Sequence, residues 1–153
     1  MKNLLWLLLA APPLLMLGAI ALNHPPLLDP PGWWPRLRIY LTANVAETAR
    51  GHAWPELRLA VFDAPPAQLR PRVMREMRQL GWRQVREDGR SLRAEVVTPL
   101  LRFTDDVEAR VEPFREGSVL HLRAASRVGK ADFAANQRHL LDLLESLQPD
   151  SRL

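Results

Sequence analysis

Val107-Glu108-Ala109-Arg110-Val111-Glu112, Glu116-Gly117-Ser118 and Leu120-His121-Leu122-Arg123-Ala124-Ala125 decide the fold. On both sides of a glycine-centred turn, apolar and polar residues alternate with period two. That is the pattern of paired strands with one face in a core and the other in water. Upstream, Leu92, Ala94 and Val96 alternate with Arg93, Glu95 and Val97. Trp82 to Arg86 precedes them across Glu87-Asp88-Gly89-Arg90, where the Asp-Gly pair signals a hairpin. Four consecutive strands, each with one wet face, predict an antiparallel sheet.

On either side of this meander the period changes from two to helical. Leu57 to Asp63 alternates as one more strand, and Ala64-Pro65-Pro66 then opens a helix, since proline suits the first turn. Leu69, Val73, Met77 and Leu80 form its apolar stripe and Gly81 ends it, while Pro71 leaves its start open. Downstream, Phe133, Leu140, Leu141, Leu144 and Leu147 predict a last amphipathic helix, with Asp132 suited to cap it. The expected fold is α+β, in the order β-α-β-β-β-β-α, with both helices on one face of the sheet. Met74, Met77, Trp54 and Trp82 read as core or edge packing.

With 153 residues the chain has room for one such domain, expected over 57–148. The absence of cysteine excludes disulfides, thiolate nucleophiles, lipobox acylation and Cys-ligated zinc. The net charge of +4 and pI near 10.6 come almost wholly from arginines dispersed among carboxylates, with lysine only at Lys2 and Lys130. A nucleic-acid footprint would be a clustered basic patch, so no nucleic-acid partner is expected.

Residues 1–23 read as a membrane segment, because Leu4 to Leu22 carries no charge and is about as long as a bilayer core is thick. Pro12 and Pro13 interrupt it, which membrane helices tolerate. An uncleaved signal anchor is one reading. A signal peptide cleaved after Ala19-Ile20-Ala21 is the other, and the length of the run favours the anchor. Either places the domain outside the cytoplasm, at the outer face of a bacterial inner membrane and facing the periplasm. Residues 24–56 read as a tether and irregular lead-in, because five prolines between Asn23 and Pro35 disfavour helix. Trp33 and Trp34 suit either a headgroup layer or packing on the domain.

Two connections hold the unusual residues: Thr98 to Asp106, and Ser126 to Asp132. Strand parity puts both at one end of the sheet, with Asn136 and Arg138 overlooking them. Arg102, Asp105, Asp106, Ser126, Arg127, Lys130, Asp132 and Asn136 thus form a candidate binding rim. One reading is a site for an anion or polar ligand, with arginines as bidentate donors near a helix N-terminus. The other is a network of ion pairs and caps locking two loops to a helix. Asp105 and Asp106 are neighbours in extended chain, so their side chains face opposite ways and cannot share a proton. No histidine is well placed to activate Ser126, and His24, His52, His121 and His139 lack a metal-ligand spacing. No catalytic residue, cofactor or metal is therefore assigned.

Arg102-Phe103-Thr104-Asp105-Asp106 resembles the "RF-x-DD" signature of the bacterial family catalogued as domain of unknown function 1499. Ser126-Arg127-Val128-Gly129-Lys130-Ala131-Asp132-Phe133, with Asn136, resembles its second signature, "SR-x-G-x-x-DF-x-x-N". Leu41 to Thr48 is similar to a lead-in of one branch, and the resemblance covers most of 41–147. The "CP-x-SPNC" opening of many members is missing, so nothing that depends on it carries over. The resemblance implies membrane-anchored or exported proteins without an assigned activity. The leading expectation is a non-enzymatic binding or accessory module, with a membrane protein complex as its partner. An apolar-ligand binding domain and a hydrolase using Asp105 or Asp106 are the alternatives. An enclosed apolar cavity favours the former alternative, and a filled core with a polar rim favours the leading expectation.

Overall fold

The computed structural model describes the backbone of residues 2–153 and the side chains of residues 11–153. Helix α1 runs Lys2–Asn23, α2 Trp33–Thr42, α3 Pro66–Gln79 and α4 Ala135–Leu147. The strands are β1 Val45–Glu47, β2 Ala60–Phe62, β3 Arg83–Asp88, β4 Ser91–Val97, β5 Thr104–Phe114, β6 Gly117–Ser126 and β7 Ser151–Arg152. The expected strand, helix, four strands, helix series is present, as β2, α3, β3 to β6 and α4.

All strand pairs are antiparallel, in the spatial order β3-β4-β5-β6-β2-β7. Strand β6 is the hub. It pairs with β5 along its length, with β2 through Leu120, Val119 and Ser118, and with β1 through Ala125, Ala124 and Arg123. Gly117 permits the β2 contact, because a Cβ there would lie 2.0 Å from the Phe62 carbonyl oxygen. Ser118 Oγ then donates to the Ala64 carbonyl at 2.7 Å.

The alternating residues fall as period two requires. Leu92, Ala94, Val107, Ala109, Val111, Leu120, Leu122 and Ala124 are buried in one core with Leu69, Val73 and Met77 of α3. Leu140, Leu143, Leu144 and Leu147 of α4 join the same core. Each fully buried leucine contributes about 2 kcal/mol.

The structure corrects several local expectations. Leu80 is exposed, because α3 stops at Gln79 and Gly81 turns the chain away at φ 76°. Phe133 precedes α4 instead of joining its stripe, with a left-handed φ of 53°. The stretch expected to be irregular holds α2, β1 and a single 3-10 turn at Pro55–Leu57. Pro35 sits in the first turn of α2, where its missing N–H costs nothing. Tyr40 and Trp54 from this stretch are buried in the main core. Leu57 is buried there too, and closes the 3-10 turn instead of opening the expected strand, since β2 is confined to Ala60–Phe62. Trp33 and Trp34 stand edge to face with each other and are exposed.

Helix α1 continues through Pro12 and Pro13. Among the described residues no helix is long and apolar enough to cross a membrane. The first part of the expected 4–22 span lies outside the described side chains.

Candidate functional site

Strand parity divides the Asp105-Asp106 pair. Asp105 shares the phase of Val107 and Ala109, so β5 turns it under the sheet, where it is fully buried. Its Oδ2 meets His139 Nε2 at 2.9 Å, and its Oδ1 has no hydrogen-bond partner. Trp82 lies edge-on to the His139 ring, closing this pair from the side. A buried carboxylate survives only with a polar partner, and α4 supplies one.

Beside this pair, Asp132 and Asn136 lock the loop to the helix. Asp132 accepts from the backbone N–H groups of Ala134 (3.0 Å) and Asn136 (3.1 Å). The N-cap position itself is Ala134, so Asp132 serves the first turn of α4 from two residues before it. The left-handed φ values of Phe133 and Ala134 fold the chain back to make this reach possible. Burial raises the Asp132 carboxyl above its ordinary value, against the opposing pull of the Asn136 and Ala134 hydrogen bonds. Asn136 is fully buried, and its Nδ2 donates to the Asn44 carbonyl (2.8 Å) and Ser126 Oγ (3.0 Å). It therefore lies beneath the rim instead of overlooking it. Arg138 is also off the rim, pairing along the helix with Asp142 and Glu145.

The open face differs. Asp106 points to solvent, and Arg127 grips it with Nε to Oδ2 at 2.9 Å and Nη2 to Oδ1 at 2.6 Å. Arg127 Nη2 also donates to Glu95 Oε1 at 2.6 Å. The Arg127 hydrogen bonds hold Asp106 below the usual carboxylate range, while Asp106 and then Glu95 raise the guanidinium. The two connections touch, as parity requires: the Arg127 N–H donates to the Thr104 carbonyl at 3.2 Å. Arg102 and Lys130 are exposed and make no ion pair among the described residues. Leu100 and Val128 stand exposed in the same two loops.

The C-terminal end of α1 is docked here. Ala19 and Ile20 are buried, and Asn23 Nδ2 donates to the Phe133 carbonyl at 2.8 Å. A hollow of about 30 Å³ remains between this end and Leu100, Phe103, Asp105 and Phe133.

A larger hollow, of about 330 Å³, opens between α2, β1 and the start of α4. Ile39, Ala46, Trp54 and Leu57 give it apolar walls, and the buried Tyr40 and Gln137 also border it. Behind it Arg36 is fully buried, donating to both oxygens of Glu56 (2.5 and 3.1 Å) and to the Asp29 and Pro30 carbonyls. Its guanidinium also lies 4.5 Å over the Trp54 ring.

Sequence reasoning missed the His139–Asp105 pair, the Arg36–Glu56 pair and this hollow. Helical spacing could have found the first, since Asn136 and His139 lie one turn before Leu140 and Leu143. No bond joins Ser126 to His139, because Ser126 is held by Asn136 and the bonded His139 nitrogen faces Asp105. Among the described residues no group of three or more His, Asp or Glu side chains is placed to hold a metal ion.

These features define a class: an α+β domain with one antiparallel sheet, an internally locked loop end and an apolar hollow beside it. The family model "Protein of unknown function (DUF1499)" matches residues 42–147, and the chain belongs to that family. No curated protein and no solved structure matches the chain.

Proposed function

We propose that the chain is a membrane-held, non-enzymatic binding module, an accessory to a membrane protein complex at the outer face of the inner membrane. The observation that carries this reading is the docking of α1 on the loop end, through buried Ala19 and Ile20 and the Asn23–Phe133 bond. A leader built to be discarded has no use for such a fit. The same end presents Leu100, Arg102, Val128 and Lys130, apolar and cationic side chains free to meet a partner. The hydrolase alternative finds Asp105 already committed to His139 and Asp106 to Arg127.

Fractionation with mass measurement, followed by affinity recovery of the detergent-solubilised protein, tests the reading. Intact chain in the membrane fraction, with a stoichiometric partner lost in the Arg102→Ala/Lys130→Ala variant, is the expected result. A soluble species beginning at Leu22 overturns it. The apolar-ligand alternative draws on one specific observation, the 330 Å³ hollow at α2, which falls within the usual size range of small-molecule sites.

A further inference from the structure

We infer that α2 is an interfacial helix, which seats the domain on an anionic lipid surface through Trp33, Trp34, Leu37, Arg38 and Leu41. This contact is additional to the anchoring of α1, and it rests on the membrane-held reading for the position of the bilayer.

Helix α2 is built inside out. Its buried residues are Arg36 and Tyr40, and Arg36 fastens it to the domain through Glu56 and the Asp29 and Pro30 carbonyls. Polar anchoring leaves the apolar residues free for another face. Trp34, Leu37, Arg38 and Leu41 recur at i, i+3, i+4 and i+7, so they share one stripe, and Trp33 lies one turn before Leu37. Trp33 is 57% exposed, Trp34 62% and Leu41 36%, while Leu37 is half-buried. An apolar stripe that the fold holds outward marks a surface for something else to cover.

Three observations choose a bilayer as that cover. The first is position. Phe133 joins the two helices: its carbonyl accepts from Asn23 at the end of α1, and its N–H donates to the Tyr40 carbonyl of α2 at 3.1 Å. The C-terminal end of α2 therefore lies beside the end of a helix whose Leu14, Leu15, Leu17 and Leu22 are exposed. The second is side-chain type. Tryptophan rings favour the headgroup layer, where an apolar body and a polar N–H are both satisfied. The third is charge. Arg38 is exposed on the stripe, α2 has no acidic residue, and the segment 24–32 before it holds only Asp29. A basic, tryptophan-bearing apolar stripe is the pattern of a helix lying in an anionic interface. A second copy of the chain fits less well. A ten-residue helix is about 15 Å long, too short by itself for the roughly 800 Å² per partner of a stable dimer.

The chain has no cysteine, so a single spin label can be placed by substitution. The full chain labelled at Leu41→Cys is reconstituted in nanodiscs of phosphatidylcholine mixed equally with phosphatidylglycerol. Collisions of the label with oxygen and with a water-soluble nickel chelate are then compared. Glu116→Cys, exposed in the turn between β5 and β6 at the opposite end of the meander, is the aqueous reference. Oxygen should dominate at Leu41→Cys and the chelate at Glu116→Cys. Trp33→Ser/Trp34→Ser should return the Leu41→Cys label to water while the chain stays in the disc, and Arg38→Glu should do so in part. Should Leu41→Cys not fold, Thr42→Cys, at an exposed position, carries the label. A chain held in the disc with an aqueous label overturns the inference and leaves the membrane-held reading intact. A chain that stays out of the disc overturns both. Lipid contact retained in the double serine variant is mere proximity to α1 and rejects the stripe as the seat. Equal contact in pure phosphatidylcholine rejects the anionic preference alone. Dipolar broadening between the labels of two chains identifies a second copy as the cover and overturns the inference.

Discussion

On the covered face of the loop end Asp105 meets His139 away from water, whereas on the open face its neighbour Asp106 meets Arg127 in solvent. The two carboxylates are adjacent in sequence and alike in chemistry, and the pleat of β5 separates them. Burial then decides what each pair is worth. Removing one partner from a buried pair strands the other without solvation, while an exposed pair is replaced by water at little loss. The rim expected from the sequence is thus two layers, an internal lock of Asp105, His139, Asn136 and Asp132 under a surface pair of Asp106 and Arg127.

The largest effect is expected at the covered pair. Asp105→Ala leaves His139 facing a buried void without its acceptor and should destabilise the fold by about 3 kcal/mol. Urea denaturation monitored by the Trp82 region measures it, and a loss below about 1 kcal/mol would erase the contrast between the faces. Asn136→Ala comes next. It removes donors to Asn44 and Ser126 from a fully buried site, and about 1–3 kcal/mol is expected in the same assay.

Strands β4 to β6 were legible because alternation survives in each of them, from Leu92-Arg93-Ala94 to Leu120-His121-Leu122. Strand β3 was legible only through the Asp88-Gly89 turn that follows it. The resemblance carried by Arg102 to Asp106 and by Ser126 to Asn136 anticipated the family correctly. Helix α2 was not legible, because its buried residues are Arg36 and Tyr40 while Trp33, Trp34 and Ile39 are exposed, which inverts the usual apolar stripe. Strands β1 and β7 are too short to show a period. At the site, parity separated Asp105 from Asp106, but a search for apolar stripes passes over Asn136, Gln137 and His139. Their burial depends on partners supplied by β5, β6 and the Pro55–Leu57 turn, which lie far away in the chain.

The acidic limb of the stability curve sharpens the comparison. Both carboxyls start from 3.8 in the unfolded chain, and the fold moves them in opposite directions. Asp106 is lowered by Arg127, so its contribution is present above 3.8 and is lost as pH falls through its lowered folded value. Asp132 is raised by burial, so the folded state holds its proton more tightly, and its contribution is present below 3.8 and fades as pH rises through the raised value. Asp106→Asn should therefore flatten the rise in stability on the acid side of 3.8. Asp132→Asn should remove a decline that begins above it. Denaturant titrations across that range, with both variants shifting the curve in the same direction, would contradict the assignment of layers.

The smallest effect is expected where the ion pairs look most complete. Arg127 makes three short hydrogen bonds to Asp106 and Glu95, yet its side chain is 46% exposed and that of Asp106 55%. Water and salt compete for such groups, and fixing a long arginine side chain opposes the gain. Arg127→Ala should then lower stability at neutral pH only by the small amount that the lowered Asp106 carboxyl implies, and that loss should vanish as salt is raised. A double-mutant cycle with Asp106→Ala isolates the pair, because the Arg127–Glu95 contact is lost in Arg127→Ala and in the double variant alike and so cancels. A coupling as large as that of Asp105 with His139, persisting in high salt, would mean that the open face is as integral to the lock as the covered one. A coupling near zero leaves Arg127 and Asp106 as surface chemistry. The loop end would then have two separate roles for its charges, holding the fold beneath and meeting a partner above.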